Sequence, residues 1–130
     1  MSGAPHRFDP VEFYVSGVGR IGRTAFLFGI AGVVAAFEVY DRAGAWVHWL
    51  TGWVVYPILL CAAASVLSKR LHDRGQAGWW SALPIFAYPW IRPWPEGVLA
   101  GICLGVVLWF GAALVFLPGE RGFNRFGPRG

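Results

Sequence analysis

Residues 98–117 read VLAGICLGVVLWFGAALVFL, an unbroken run of 20 apolar residues. As an α-helix with a rise of about 1.5 Å per residue, this run would be about 30 Å long, which matches the hydrocarbon core of a bilayer. The run therefore predicts a transmembrane helix.

Glycines recur every four residues where this run begins, at Gly97, Gly101 and Gly105. Because glycine has no side chain, this spacing lets a second helix in the membrane approach the backbone closely. We predict a helix-packing face, whose partner is a helix of the same chain or of a second copy in a homo-oligomer.

Three further apolar runs precede this one, at residues 24–40, 49–67 and 79–91. The first two are long enough to span a membrane, at about 25 Å or more as helices. The third would be only about 20 Å long and contains Pro84 and Pro89. The sequence therefore predicts an all-α, polytopic membrane bundle with four transmembrane helices. The alternative is three spans plus a re-entrant or interfacial segment at residues 79–91.

The basic residues favour four spans. Lys and Arg concentrate on the cytoplasmic side of membrane proteins. With four spans, one side receives Arg7, Arg20, Arg23, Lys69, Arg70, Arg74, Arg121, Arg125 and Arg129, and the other receives Arg42 and Arg92. With three spans the C-terminal arginines change sides and most of this asymmetry is lost. We therefore expect both termini to be cytoplasmic.

Composition agrees with a single integral membrane domain over residues 1–130. Hydrophobic residues make up 56% of the chain and charged residues 14%, against about 25% charged in soluble domains. We expect residues 1–23 and 118–130 to be cytoplasmic and residues 24–117 to contain the spans. The net charge of +4 comes from residues that flank the spans, so the expected partners are anionic lipids and not nucleic acid. Cys61 and Cys103 lie inside apolar runs, and neither a cofactor nor a metal site is expected.

Four spans would collect polar residues at one membrane surface, and these form the candidate site. One interpretation is a belt of ion pairs that fixes topology and joins the helices, or docks a partner. The other is a site for a lipid headgroup or a phosphate-bearing ligand, because arginine matches phosphate geometry and tryptophan suits the headgroup level. The candidate ligand-binding residues are Arg20, Arg23, Arg70, His72, Asp73, Arg74, Trp79, Trp80, Asn124 and Arg125.

Two other functions have weaker support in the sequence. His72 and Asp73 suggest acid–base catalysis, but neighbouring residues on a helix point in different directions and no nucleophile motif is present. We therefore name no catalytic residue. A small-solute transporter or channel would need polar groups inside the membrane, and Glu38 is the main candidate.

Three ordered motifs resemble the "domain of unknown function 805" family of small bacterial inner-membrane proteins. They are GRIGRTAF at 19–26, RLHDRGQAGWW at 70–80 and GERGFNRFGP at 119–128. The chain departs from the usual family pattern at Ala77, where a small hydroxyl residue is common, and at Lys69, where arginine is common. The resemblance implies a polytopic helical fold in the bacterial cytoplasmic membrane. It implies no established activity, substrate or catalytic residue.

Overall fold

The computed structural model describes residues 9–17, 19–92 and 94–127 of the chain. Within these residues the regular structure is helical, apart from one pair of bridge residues, Asn124 and Gly127. In chain order the helices are α1 (Pro10–Val15), α2 (Arg23–Asp41), α3 (Ala45–Asp73), a 3₁₀ helix (Gly78–Ser81), α4 (Ala82–Ala87), a second 3₁₀ helix (Tyr88–Ile91) and α5 (Gly97–Phe116). The predicted all-α class is confirmed.

Three helices, α2, α3 and α5, have the length and hydropathy needed to cross a membrane. They contain 19, 29 and 20 residues, and their most apolar stretches have mean hydropathies of 1.5, 1.9 and 2.5. The bounds of α2 and α5 lie within one residue of the predicted runs. Helix α3 begins earlier than predicted, at Ala45, and carries the chain past its apolar run to Asp73.

The predicted fourth span is not one continuous helix. Residues 78–91 are divided into helices of 4, 6 and 4 residues, which together extend about 25 Å at the rises of 3₁₀ and α-helices. Pro89 contributes to this division because it has no N–H for a continuing helix, and it lies instead in the first turn of the second 3₁₀ helix. Three long helices plus a shorter segment match the alternative stated above.

The molecule has two distinct ends. The basic end is where α2 begins at Arg23 and where α3 and α5 finish, at Asp73 and Phe116. The far end is where α2 finishes at Asp41 and α3 begins at Ala45. Residues 78–91 extend from one end to the other.

Two contacts define this path. Near the basic end, Ser68 Oγ donates a hydrogen bond to the Gly78 carbonyl oxygen at 3.3 Å. At the far end, Tyr88 and Arg92 contact Glu38 in the last turn of α2. The segment therefore runs alongside the long helices despite its breaks.

Helix α1 is an element that the sequence analysis did not predict. Asp9 caps its start by accepting hydrogen bonds from the backbone N–H groups of Val11 and Glu12. At the other end, Lys69 Nζ donates to the carbonyl oxygens of Glu12 and Phe13, each at 3.0 Å. Helix α1 is thereby fixed against α3, and Phe13 packs against Gly29 of α2.

The apolar core lies towards the basic end. Its buried members come from α2, α3 and α5 and from the short segment before α2. They are Ile21, Phe26, Val66, Leu67, Leu71 and Leu114. In α3 the buried residues begin at Ser65. The apolar first half of α3 faces outward, as a lipid-facing helix surface would.

Substitution of Gly29 tests the packing of α1. A Cβ atom at Gly29 would lie 2.7 Å from Phe13 Cε1 and 3.2 Å from Val66 Cγ1. We expect Gly29→Ala to lower the free energy of unfolding by about 1–3 kcal/mol, as overpacked core sites do. Thermal unfolding in detergent, followed by circular dichroism, measures the effect.

Gly111→Ala in α5 is the matched control, because no described atom beyond the adjoining backbone of the helix lies within 4 Å of a Cβ built there. Alanine has the higher helix propensity, so this variant should be at least as stable as the parent. Equal loss of stability in both variants would contradict the proposed packing of α1 on Gly29.

Candidate functional site

The site is built around the end of α3, which closes in a Schellman motif. Gly75 has a φ of 72°, a left-handed conformation that favours glycine. Its N–H bonds the His72 carbonyl oxygen and the N–H of Gln76 bonds that of Leu71, at 3.0 and 2.9 Å. The sequence Leu71–Gly75 therefore stops the helix with His72 and Asp73 in its last turn.

Asp73 lies between two buried arginines. Its Oδ1 accepts a hydrogen bond from Arg20 Nε at 3.1 Å, and its Oδ2 accepts one from Arg70 Nη1 at 2.5 Å. The three side chains are at most 4% exposed. We call Arg20, Arg70 and Asp73 the arginine–aspartate lock.

Arg20 uses all five of its N–H donors within the protein. Besides Asp73 Oδ1, it bonds the carbonyl oxygens of Asp73, Glu120, Gly122 and Gly127, at distances of 2.6 to 3.3 Å. It thereby connects the end of α3 to the C-terminal tail. No donor of Arg20 remains for a ligand.

Arg70 makes the corresponding connection to α5. Its Nε donates to the Leu114 carbonyl oxygen at 2.7 Å and its Nη2 to the Leu117 carbonyl oxygen at 2.8 Å. These carbonyls lie at the end of α5, where no later turn supplies donors. The same side chain also bonds the Ile21 carbonyl oxygen.

Helix ends help to balance the charge of the lock. Two arginines and one aspartate leave one net positive charge in a buried place. The C-termini of α3 and α5 each carry a partial negative charge of about half an electron, and both contact the lock. The excess charge is therefore compensated without a second buried acid.

The C-terminal tail folds back over the end of α3. Asn124 and Gly127 exchange backbone hydrogen bonds at 3.0 and 3.1 Å, which closes a tight turn. The Asn124 side-chain nitrogen donates to the His72 carbonyl oxygen and to Glu120 Oε2. Phe126 stacks on the imidazole of His72, with ring centroids 3.9 Å apart.

Close approach to Asp73 explains the glycine at residue 119, in the third motif. A Cβ atom at Gly119 would overlap the Asp73 carboxylate. The Glu120 N–H beside it bonds the Asp73 carbonyl oxygen at 2.6 Å. Any side chain at residue 119 would therefore push the tail away from the lock.

The structure divides the predicted ligand-binding residues into two groups. An inner group interlocks at the end of α3 and consists of Arg20, Arg70, His72, Asp73 and Asn124. An outer group lies at the edge of this network and consists of Arg23, Arg74, Arg125, Trp79 and Trp80.

The predicted packing face of α5 lies apart from the lock. Apart from the adjoining backbone of the helix itself, no described atom comes within 4 Å of a Cβ built at Gly97, Gly101 or Gly105. Gly97 has a φ of 81° at the first residue of the helix. Within the described residues this face packs against no other helix of the chain.

His72 and Asp73 are bonded to different partners. The His72 ring contacts the Gly19 carbonyl oxygen through Nδ1 at 3.1 Å, whereas the Asp73 carboxylate bonds the two arginines. Among the described residues, no three His, Cys, Asp or Glu side chains form a group that could hold a metal ion.

Sequence reasoning missed several members of the network. Gly119, Gly122 and Phe126 take part through close approach, a backbone carbonyl and ring stacking. Lys69 entered the sequence argument as one of the basic residues that indicate the cytoplasmic side. In the structure it is buried and caps α1. The three motifs contained the signal, since each of these residues lies within or beside one.

The long helices and the buried network together define the general class of this protein. The chain is a helical membrane protein whose three long apolar helices are joined at one end by a buried ionic network.

A family model described as "Protein of unknown function (DUF805)" matches residues 12–128, so the chain belongs to that family. The suspected resemblance is thereby confirmed. No curated protein and no solved structure matches the chain.

Asp73→Asn tests the lock. Without the aspartate charge, two buried arginines face each other with no acid between them, and breaking such a pair costs about 3–5 kcal/mol. We expect a large fall in unfolding temperature and in the yield of folded protein, measured by thermal unfolding and by size-exclusion chromatography in detergent.

Glu96→Gln is the control, because Glu96 is an exposed acid without a side-chain hydrogen bond at the start of α5. It should leave both readouts unchanged. A folded Asp73→Asn protein with the parent's stability would show that the lock does not hold the helices together.

Proposed function

We propose that this chain is a four-crossing protein of the bacterial cytoplasmic membrane, with both termini cytoplasmic. Its cytoplasmic surface binds an anionic lipid headgroup through arginines that lie outside the lock. The observation that carries this proposal is a difference between arginines at one end of the molecule. Arg20 and Arg70 use their donors within the protein, whereas the outer arginines keep theirs free or nearly so.

The outer arginines are Arg23, Arg74, Arg121 and Arg125. Arg23 has one long hydrogen bond, to the Phe116 carbonyl oxygen at 3.4 Å, and Arg125 has one to the Gly75 carbonyl oxygen at 3.5 Å. The side chains of Arg74 and Arg121 form no hydrogen bond or ion pair within the described residues. Such guanidinium groups retain the paired donors that match a phosphate group.

Aromatic side chains close to these arginines in the sequence suit the headgroup level. Trp79 and Trp80 stack with centroids 4.2 Å apart and remain 66% and 40% exposed. Phe123, between Arg121 and Arg125 in sequence, is 81% exposed. Tryptophan prefers the boundary between headgroups and hydrocarbon. These exposed rings therefore support binding at the headgroup level.

The two interpretations of the polar cluster thus apply to different residues. The lock accounts for joining the helices, and the outer arginines account for binding. Docking of a partner protein on the same outer surface is the competing interpretation, and lipid selectivity separates the two.

Charge and path together support four crossings. Residues 78–91 contact the basic end at Ser68 and the far end at Glu38. Of the Lys and Arg residues that the structure describes, seven then lie at the basic end and two, Arg42 and Arg92, at the far end, in the direction of the positive-inside rule. A segment of about 25 Å is short for a core of about 30 Å, and local thinning of the bilayer accommodates such a difference at small cost.

Site-specific labelling tests the four crossings. In a chain with Cys61 and Cys103 replaced by alanine, Glu96→Cys should react with a membrane-impermeant thiol reagent in spheroplasts. Phe123→Cys should react only after the membrane is permeabilised. The reverse pattern, with Phe123→Cys labelled in spheroplasts and Glu96→Cys labelled only after permeabilisation, would contradict four crossings with cytoplasmic termini.

Lipid retention tests the binding site. We expect the combined variant Arg74→Gln, Arg121→Gln and Arg125→Gln to fold normally and to bind phosphatidylglycerol at least tenfold more weakly. Each arginine near an anionic surface contributes about 1 kcal/mol, so the loss of three exceeds one tenfold step. Native mass spectrometry with phosphatidylglycerol or phosphatidylcholine added to the detergent measures the bound fraction.

Arg42→Gln is the matched control, because Arg42 is an exposed arginine at the far end. It should keep the parent's lipid binding. Competition by inorganic phosphate would indicate a site for free phosphate, whereas indifference to phosphate would indicate the intact lipid. Equal binding of both lipids by the parent, or full retention by the combined variant, would favour partner docking.

A further inference from the structure

A second ionic group lies at the far end, and the proposed lipid site does not use it. Glu38 lies in the last turn of α2, Asp41 ends that helix, and Arg92 follows the second 3₁₀ helix. Arg92 Nη2 lies 3.2 Å from Glu38 Oε2 and 3.2 Å from Asp41 Oδ2. One guanidinium nitrogen therefore bridges two carboxylates of α2.

Aromatic contacts reinforce this bridge. Tyr88 donates its hydroxyl hydrogen to Glu38 Oε1 at 3.2 Å. The Arg92 guanidinium lies 4.8 Å from the centre of the Phe37 ring, within the range of a cation–π contact. Phe37 and Tyr88 meet edge to face, 5.9 Å apart. We call Glu38, Asp41, Tyr88 and Arg92 the far-end latch.

Residues 78–91 have weak means of crossing a membrane by themselves. They lack a helix of 18 residues, contain two prolines, and lead directly to Arg92. A positive charge that must reach the outer side opposes translocation. Carboxylates already present on that side would compensate the charge and lower this barrier.

We propose that the far-end latch holds residues 78–92 in a position that crosses the membrane. Helix α2 precedes the segment in the chain and places Glu38 and Asp41 at its far end. These carboxylates then hold Arg92 on the outer side, with Tyr88 as a second attachment. This inference rests on the four-crossing topology proposed above and adds the residues that determine it.

A charge-reversal series tests the latch in the Glu96→Cys chain described above. Arg92→Glu would place a third acid beside Glu38 and Asp41. We expect the ratio of externally labelled to unlabelled residue 96 to fall about fivefold, the change that about 1 kcal/mol makes in a two-state equilibrium. Adding Glu38→Arg should restore the labelling, because an arginine on α2 can then pair with the new glutamate.

Arg42→Glu is the matched control, since it removes the same charge from the same end without breaking the latch. It should keep the labelling of the Glu96→Cys chain. If Arg92→Glu reduces protein accumulation, recovery of accumulation in the double variant supports the latch equally well.

The outcomes separate the latch from the topology. Absence of external labelling before any charge is changed would overturn the four crossings and the latch together. External labelling that Arg92→Glu does not change would overturn the latch alone. A double variant that restores neither labelling nor accumulation would also overturn it, as would an Arg42→Glu variant that loses as much labelling as Arg92→Glu.

Discussion

The structure depends on the Asp73 carboxylate, held between Arg20 and Arg70 in a buried place. Arg70 bonds the end of α5, and Arg20 bonds the tail, so one acid connects three parts of the chain that are distant in sequence. Buried ion pairs are costly to desolvate and are worth most where every donor and acceptor is used. Here no buried side-chain nitrogen or oxygen among the described residues lacks a partner. The network therefore specifies how the helix ends meet.

Three basic residues at the basic end cap the C-termini of helices. Lys69, Arg20 and Arg70 each donate to carbonyl oxygens at the C-terminus of a different helix, α1, α3 and α5. Helix C-termini attract positive charge, and Lys and Arg also mark the cytoplasmic side. Basic residues that flank apolar runs in the sequence thus cap helix ends in the folded protein. The outer arginines, by contrast, have at most one long side-chain hydrogen bond each within the described residues.

The two ends of the molecule are built differently. The basic end contains most of the core and a fully bonded ionic network, whereas the far end has part-exposed charges around aromatic rings. Ion pairs as exposed as those of Arg92 are screened and contribute little to stability. Their value in this fold is positional, because they attach a short, broken segment to a long helix.

Much of the fold followed from the sequence because the bilayer imposes a simple rule. A run of 20 apolar residues needs no partner to become a helix, so α2 and α5 were predicted almost to the residue. The grouping of the three polar motifs at one end followed from the expected span count. Helix α1 was missed, because six residues give no clear periodicity and its stability comes from Lys69 and Gly29. The division of residues 78–91 was also left open, since two prolines permit several breaks.

Only the tertiary structure decided which arginines are structural. In the sequence, Arg20 and Arg23 are equivalent members of one motif, as are Arg70 and Arg74 of another. In the fold, Arg20 and Arg70 are buried with their donors bonded, while Arg23 is exposed and Arg74 is half-buried. The physical reason is that hydrogen-bond acceptors for a buried arginine come from other segments. A sequence does not show which backbone carbonyls will accept these hydrogen bonds, and here most of them belong to residues between 114 and 127. The sequence determined that the protein enters a membrane and which end carries its charge, and the packing of helix ends decided what each charge does.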